Sequence, residues 1–222
     1  MKYNSPRLNL LTPDALVKTS PVDQAEWNYK PLLGAISRAR FHLVKQLLGE
    51  RRGKRLLEIG YGSGVFLPEL AKHSDEIYGV DIHKKQSKVA EKLAVFDVRA
   101  ELVSGGAEKT PWKDNFFDFI IAVSSLEFVN DLDAVCIEVK RILKPEGKFI
   151  AVTPGQSPLL DFGLKLLTGK SAADDFGDRR ERILPTLYKH FNVQNEITFP
   201  KYDASPVKLY TALGLQPKTL RQ

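Results

Sequence analysis

The chain of 222 residues contains a single cysteine, Cys136. An internal disulfide is therefore excluded, and no cysteine and histidine cluster is spaced for a zinc site. Long apolar runs are also absent, since no window approaches the roughly 20 apolar residues that a membrane span needs. The first 18 residues have neither an apolar core nor a small-residue cleavage site, so we expect no signal peptide. These absences indicate a cytoplasmic protein without a metal and without a transmembrane segment.

Acidic residues are scarce at both ends of the chain. Residues 1–55 carry 11 Lys or Arg against 4 Asp or Glu, and residues 151–222 carry 10 against 7, whereas residues 56–150 carry 12 against 16. The resulting pI of about 9.3 is compatible with nucleic-acid binding. Basic residues confined to the flanks are, however, typical of a solvated face. We therefore expect a small-molecule substrate in preference to a nucleic acid.

The middle of the chain alternates between two hydrophobic periods. Strands are predicted at 55–60, 76–82, 99–105, 116–125 and 147–154, and helices at 65–73, 84–96 and 131–143. This spacing is typical of βαβ crossovers in a doubly wound, mostly parallel sheet whose two faces are covered by helices. Two tail segments, 191–199 and 207–217, suit a closing antiparallel pair.

The flanking segments carry different patterns. Residues 1–31 contain several prolines and are expected to form an N-terminal arm or cover. A single domain at 32–222 would then begin with an amphipathic helix at 32–48. Residues 157–191 predict two helices, the first rich in leucine, which would form either a substrate lid or a buried structural helix.

Glycines are concentrated in the stretch LLEIGYGSGVF, where Gly60, Gly62 and Gly64 follow the first predicted strand. Such a loop lets a ligand approach the backbone at the carboxyl end of a parallel sheet. A nucleotide phosphate, a dinucleotide and S-adenosylmethionine (SAM) are the candidate ligands. A phosphate loop would end in Gly-Lys-Ser/Thr, and no lysine stands here. The dinucleotide fingerprint needs a small residue where Val65 stands.

Two acidic residues near the glycines narrow the choice of ligand. Glu58 would repel a pyrophosphate, but it suits the ammonium group at the amino acid end of SAM. Asp81 ends the second predicted strand, about 20 residues after the glycines, where an acid can accept hydrogen bonds from ribose hydroxyls. Asp81 alone does not distinguish a nicotinamide dinucleotide from SAM.

The chain resembles the class I SAM-dependent methyltransferases in four ordered segments, LLEIGYGSG, GVDI, GGAEKTPWKDNFFDFIIAVSSLEFV and EVKRILKPEGKFIAVTP. Within that family it is most similar to the group that includes the ubiquinone and menaquinone biosynthesis methyltransferases. The resemblance covers about residues 32–154. It implies a seven-stranded, Rossmann-like sheet of order 3-2-1-4-5-7-6 with the last strand antiparallel. It also implies SAM as the cofactor and methyl transfer to a small-molecule acceptor.

The resemblance implies a set of cofactor-binding residues. In chain order they are Glu58, Gly60, Tyr61, Gly62, Gly64, Asp81, Ile82, Ala107, Glu108 and Ser124. The methionine end of SAM would contact Glu58, Gly60, Tyr61 and Gly62. Asp81 would bind the ribose. Ile82 would lie against one face of the adenine, Ala107 and Glu108 at its edge, and Ser124 near the transfer site.

Two positions depart from the family pattern. Gly106 stands where the family often has an aspartate that binds the adenine amine, and Phe128 stands where it often has a histidine. The neighbouring Glu127 matches the family, with a structural role favoured over a catalytic one. We therefore assign no catalytic base, and a non-catalytic SAM-binding protein remains an alternative, as does an RNA or protein methyltransferase.

Aromatic and basic residues just before and within the first helix are candidates for a substrate cover. Trp27, Tyr29 and Arg38 should lie at the cofactor end of the sheet. The alternative is that they anchor the arm to the core. The sequence identifies neither the acceptor atom nor an oligomeric state.

Overall fold

A computed structural model describes residues 8–21, 23–155, 179–201 and 208–218. Its helices are α1 Pro31–Leu48, α2 Leu67–Leu70, α3 Gln86–Ala94, α4 Leu132–Ile142 and α5 Arg179–His190. Its strands are β1 Gly53–Ile59, β2 Ser74–Asp81, β3 Ala100–Ser104, β4 Phe117–Val123, β5 Leu143–Pro154, β6 Phe191–Phe199 and β7 Tyr210–Pro217. The leucine-rich first helix expected within 157–191 lies outside the described residues, and α5 occupies the C-terminal part of that range.

The strands form one sheet in the order β3-β2-β1-β4-β5-β7-β6. Strands β1 to β5 pair in parallel, whereas β7 runs antiparallel to both β5 and β6. The predicted order, the mostly parallel pairing and the antiparallel closing pair are confirmed. Because β1 lies between β2 and β4, its carboxyl end sits at the point where the strand order reverses. A doubly wound sheet binds its ligands at this point.

Helices cover both faces of the sheet with separate apolar clusters. Successive residues of β1 point to opposite faces, so Leu56 joins the cluster under α1 and α3 and Leu57 joins the one under α4 and α5. Both side chains are fully buried. This two-sided burial explains why the strands lack a polar face in the sequence.

The helix expected at 65–73 is shorter than the sequence pattern indicates. Only Leu67–Leu70 is α-helical, and a 3₁₀ turn at Ala71–His73 leads directly into β2. The residues before α2 form successive tight turns, in which the Gly64 amide donates to the Tyr61 carbonyl at 2.8 Å. A four-residue helix has little dipole, so the glycine loop offers a ligand individual backbone amides and no helix N-terminus.

Helix α4 begins as the sequence predicts. The carboxylate of Asp131 caps it by accepting a hydrogen bond from the Ala134 amide at 2.9 Å.

Among the described residues no helix is long and apolar enough to cross a membrane.

Candidate functional site

The glycine loop follows β1 in a conformation that side chains rarely adopt. Gly60, Gly62 and Gly64 have φ values of +74°, +52° and +72°. A Cβ atom on Gly64 would also stand 2.9 Å from Val89 Cγ1 on α3. Glycine at this position therefore lets the loop pack against α3, as the resemblance implied for the loop closure.

Asp81 joins the end of β2 to the glycine loop. Its carboxylate accepts hydrogen bonds from the Gly62 amide at 2.8 Å and from the His83 amide at 3.3 Å. The His83 ring returns to the loop, with Nε2 3.0 Å from the Gly62 carbonyl oxygen. A carboxylate has about four acceptor positions, so Asp81 keeps capacity for two ribose hydroxyls. The adjacent Ile82 is 79% exposed, an apolar side chain available to a flat ring.

Glu58 is the most buried acid of the predicted set. It stands on β1, between Gly79 of β2 and Ile121 of β4, and is 4% exposed. Burial raises the pKa of Glu58 to about 8, with a smaller opposing effect of the Arg40 guanidinium and a reinforcing one of Asp81. Its Oε2 atom has no hydrogen-bond partner among the described residues. A buried carboxyl with an open acceptor suits a cationic ligand group.

Several other buried polar side-chain atoms at this end of the sheet also lack a hydrogen-bond partner among the described residues. Buried side-chain atoms without a hydrogen-bond partner in the described part of the chain include Asn28 Oδ1, Arg40 Nε, Gln86 Oε1 and Trp112 Nε1 on other elements. Five more belong to residues at or after the ends of β1 and β4: Glu58 Oε2, Tyr61 Oη, Ser63 Oγ, Ser124 Oγ and Glu127 Oε2. Buried polar groups are normally satisfied, and an exception calls for an explanation such as a missing ligand. Their concentration around the ends of β1 and β4 therefore fits the polar amino acid end of SAM.

The residues predicted to line the adenine follow β3. Ala107 is buried and Glu108 is half-buried after β3. The Glu108 carboxylate folds back over Gly106, so a Cβ atom on Gly106 would collide with its Oε2. A cleft of about 390 Å³ adjoins these residues, lined in part by Val80 and Val103. A carboxylate thus lies next to position 106, although Gly106 itself has no side chain.

The candidate substrate residues hold the N-terminal segment. The Tyr29 hydroxyl donates to the Leu11 carbonyl, and the Arg38 guanidinium donates to the Asn28 carbonyl. Trp27 is half-buried, with the Lys30 ammonium 5.6 Å from its ring centroid. These contacts favour the anchoring role, since two of the three polar groups already bind backbone carbonyls.

The anchored segment itself reaches the glycine loop. The Leu11 amide donates to the Val65 carbonyl at 3.2 Å, and Lys85 Nζ donates to the Lys18 carbonyl at 2.6 Å. The Thr19 hydroxyl lies 4.0 Å from the position that a Cβ atom on Gly62 would take. Residues 8–21 therefore lie beside the loop that the cofactor would contact.

Two charged residues of this region were missed or undervalued in the sequence. Arg40 continues the apolar stripe of α1 formed by Ile36, Leu43 and Leu47, and a charge within such a stripe was the available signal. Glu127 lies in a 3₁₀ turn after β4 and is 2% exposed. Burial raises its pKa to about 7, against the opposing effects of its own backbone amide, Arg180 and Arg40.

Comparison with known proteins agrees with this geometry. Residues 57–151 match the model of a family described as a methyltransferase domain. The uncharacterized methyltransferase YdaC of Bacillus subtilis is 30% identical over 150 residues, which are 63% of this chain and 82% of that protein. A demethylmenaquinone methyltransferase of Bacillus licheniformis is 30% identical over 125 residues, 55% of this chain and 53% of that protein.

A solved structure extends the likeness to the fold. The SAM-dependent methyltransferase of Aquifex aeolicus superposes with a TM-score of 0.59 at 18% identity, covering 88% of this chain and 99% of that one. The chain spans about half the length of several of its curated relatives. The family match, the similarity to YdaC and the strand order lead to one conclusion: the chain belongs to the class I SAM-dependent methyltransferases, a family whose cofactor is SAM.

Proposed function

We propose that this protein transfers the methyl group of SAM to an apolar small molecule. The observation that carries the proposal is the buried, partnerless Glu58 carboxyl oxygen beside a glycine loop that Asp81 ties to the end of β2. This arrangement offers an acceptor for an ammonium group and another for ribose hydroxyls at the switch point of the sheet.

The protein's contribution to the reaction is binding and alignment. Bound SAM supplies a methyl group on a positively charged sulfur, which is a good leaving group without further activation. Glu58 would fix the ammonium, Asp81 the ribose, and the glycines would allow close backbone contact. Holding the acceptor in line with the methyl group is then the main catalytic task. Residues 8–21 beside the loop would help to exclude water.

The distribution of charge supports a small acceptor over a nucleic acid. The basic run at 51–55 lies at the amino end of β1, opposite the glycine loop. Two of its arginines are engaged in ion pairs, Arg52 with Asp75 and Arg55 with Glu76, each at 2.7 Å. These pairs compensate part of the positive charge at this edge, which reduces its attraction for phosphates.

The names of relatives support the apolar character of the acceptor. The Bacillus licheniformis relative is named for an apolar quinone, demethylmenaquinone.

The cytoplasmic location and the absence of a nucleic-acid partner remain predictions from composition.

The proposal is tested by following the methyl label. The purified protein is incubated with SAM tritiated on the methyl group, in separate reactions with a solvent extract of cells, an aqueous metabolite extract and total RNA. We expect label in the solvent-extractable fraction, and none with an Asp81→Asn variant. Label in RNA would refute the acceptor class, whereas SAM binding without transfer to any fraction would favour a non-catalytic SAM-binding protein.

A further inference from the structure

His83 bonds to two different backbone groups through its two ring nitrogens. Its Nδ1 atom lies 3.0 Å from the Lys85 amide nitrogen, and its Nε2 atom lies 3.0 Å from the Gly62 carbonyl oxygen. A neutral imidazole has one N–H donor and one acceptor nitrogen. Because a backbone amide can only donate, Nδ1 is the acceptor and the ring proton is on Nε2. The His83 ring therefore donates from Nε2 to the Gly62 carbonyl.

Gly62 is thereby held from both sides of its backbone. Its amide donates to Asp81 Oδ2 at 2.8 Å, and its carbonyl accepts from His83. Both partners belong to the segment that ends β2, and the His83 amide also donates to Asp81. Gly62 has a φ of +52°, and glycine is the residue whose backbone has most conformational freedom to lose. The two hydrogen bonds thus fix the loop at a residue that would otherwise be free to change conformation.

Packing against Tyr61 orients the His83 ring. The two rings meet edge to face, with centroids 4.9 Å apart and an angle of 80° between their planes. Tyr61 is buried above β2, where Gly79 leaves room for it, because a Cβ atom on Gly79 would stand 2.6 Å from Tyr61 Cδ1. The direction of the Nε2 donor is therefore set by an aromatic contact as well as by the two hydrogen bonds.

We propose that His83 is a positioning residue, which holds the glycine loop in the shape that receives the methionine end of SAM. The inference rests on the proposed function, since it takes this loop as the one that binds SAM. A loop that is already ordered loses less conformational entropy when the cofactor binds, so the affinity is higher. His83 acts through Gly62 and needs no contact of its own with the cofactor.

Two substitutions separate the two hydrogen bonds of the ring. His83→Gln puts an amide NH₂ near the position of Nε2 and can keep the bond to the Gly62 carbonyl. His83→Asn puts an oxygen near the position of Nδ1 and keeps only the bond from the Lys85 amide. A role in the turn after β2 would be rescued by asparagine, whereas a role in holding the glycine loop would be rescued by glutamine.

Calorimetry then compares S-adenosylhomocysteine, which has the amino acid end, with methylthioadenosine, which lacks it. For His83→Asn we expect a loss of about fivefold in affinity for S-adenosylhomocysteine and of less than about twofold for methylthioadenosine. His83→Gln should stay within about twofold of the wild type for both ligands. His73→Asn is the matched control, because His73 Nδ1 lies 3.1 Å from the Arg51 carbonyl oxygen at the opposite end of the sheet. It should change neither affinity.

A spectroscopic measurement on the wild-type protein covers the case in which a variant does not fold. Long-range proton–nitrogen NMR of the neutral ring should show the His83 proton on Nε2. A proton on Nδ1, an equal loss for both ligands, no loss in His83→Asn, or a loss in His83→Gln as large as that in His83→Asn would overturn the inference while leaving the proposed function intact. Failure of the wild-type protein to bind S-adenosylhomocysteine would overturn both.

Discussion

Binding of the cofactor should release a proton from Glu58. Burial holds the pKa of this carboxyl at about 8, so at pH 7 roughly 0.9 of the molecules carry a proton there in the free protein. An ammonium group placed against the carboxyl favours its charged form and lowers that pKa again. The Asp81 and Arg40 charges remain in place in both states. We therefore expect release of about 0.7 to 0.9 proton per S-adenosylhomocysteine bound at pH 7.

Calorimetry in buffers of different ionisation enthalpy measures this number directly. The slope of observed enthalpy against buffer enthalpy gives the protons exchanged. Glu58→Gln should reduce the release to near zero, and methylthioadenosine, which lacks the amino acid end, should release none from the wild-type protein. The affinity of the wild type should rise nearly tenfold per pH unit between pH 6 and about 7. A wild-type slope of zero, or an unchanged slope in Glu58→Gln, would refute the assignment of Glu58 to the ammonium.

Three further predictions concern stability and the ribose. In urea unfolding of the unliganded protein, Glu127→Gln should leave the free energy of unfolding unchanged near pH 4 and raise it by up to about 3 kcal/mol at pH 8. The reason is that the pKa of Glu127 is about 7 in the folded protein, which costs stability only as pH rises above the unfolded pKa. Equal effects at both pH values would contradict this. Gly64→Ala should lower the free energy of unfolding by about 1–3 kcal/mol, since it combines a positive φ with a 2.9 Å contact to Val89. An unchanged urea midpoint would contradict this, because it would show that the loop relaxes without cost. Asp81→Asn should weaken S-adenosylhomocysteine and methylthioadenosine alike by about tenfold or more, and a loss confined to the former would place Asp81 away from the ribose.

The alternation of strands and helices could be predicted because it leaves clear traces in a sequence, whereas the full strand order was implied by the resemblance to the methyltransferase family. Apolar runs such as 116–125 mark strands covered on both faces, and the glycine loop marks the strand at the switch point. The resemblance of the four ordered segments to the family then implied one strand order among those of the doubly wound folds. Asp131 marked the start of α4 because a capping acid acts within its own turn.

The site was harder to predict where tertiary contacts decide the role of a side chain. The helix expected at 65–73 follows the apolar period, but tight turns after Gly64 use up its first residues. Tyr29 and Arg38 are polar groups whose hydrogen bonds go to backbone carbonyls, which a sequence does not display. The partly buried position of Arg40 depends on the packing of α1 against the sheet, which a sequence does not display.

Position 106, at the predicted adenine edge, also shows that a sequence does not display tertiary contacts. The sequence shows that Gly106 lacks a side chain, but not that the Glu108 carboxylate turns back over it. Spacing along the chain places Glu108 two residues away, and only the turn after β3 brings its oxygen over Gly106. The sequence therefore shows the missing acid at 106 but not the carboxylate that the fold places beside it.

Equilibrium dialysis with labelled SAM tests the central claim most directly. The folded wild-type protein should retain one SAM per chain, displaced by S-adenosylhomocysteine and not by a nicotinamide dinucleotide. Glu58→Gln, verified as folded by circular dichroism, should retain substantially less at the same concentration. Retention no greater than that of an unrelated protein, or displacement by the dinucleotide, would contradict the assignment of this glycine loop to SAM.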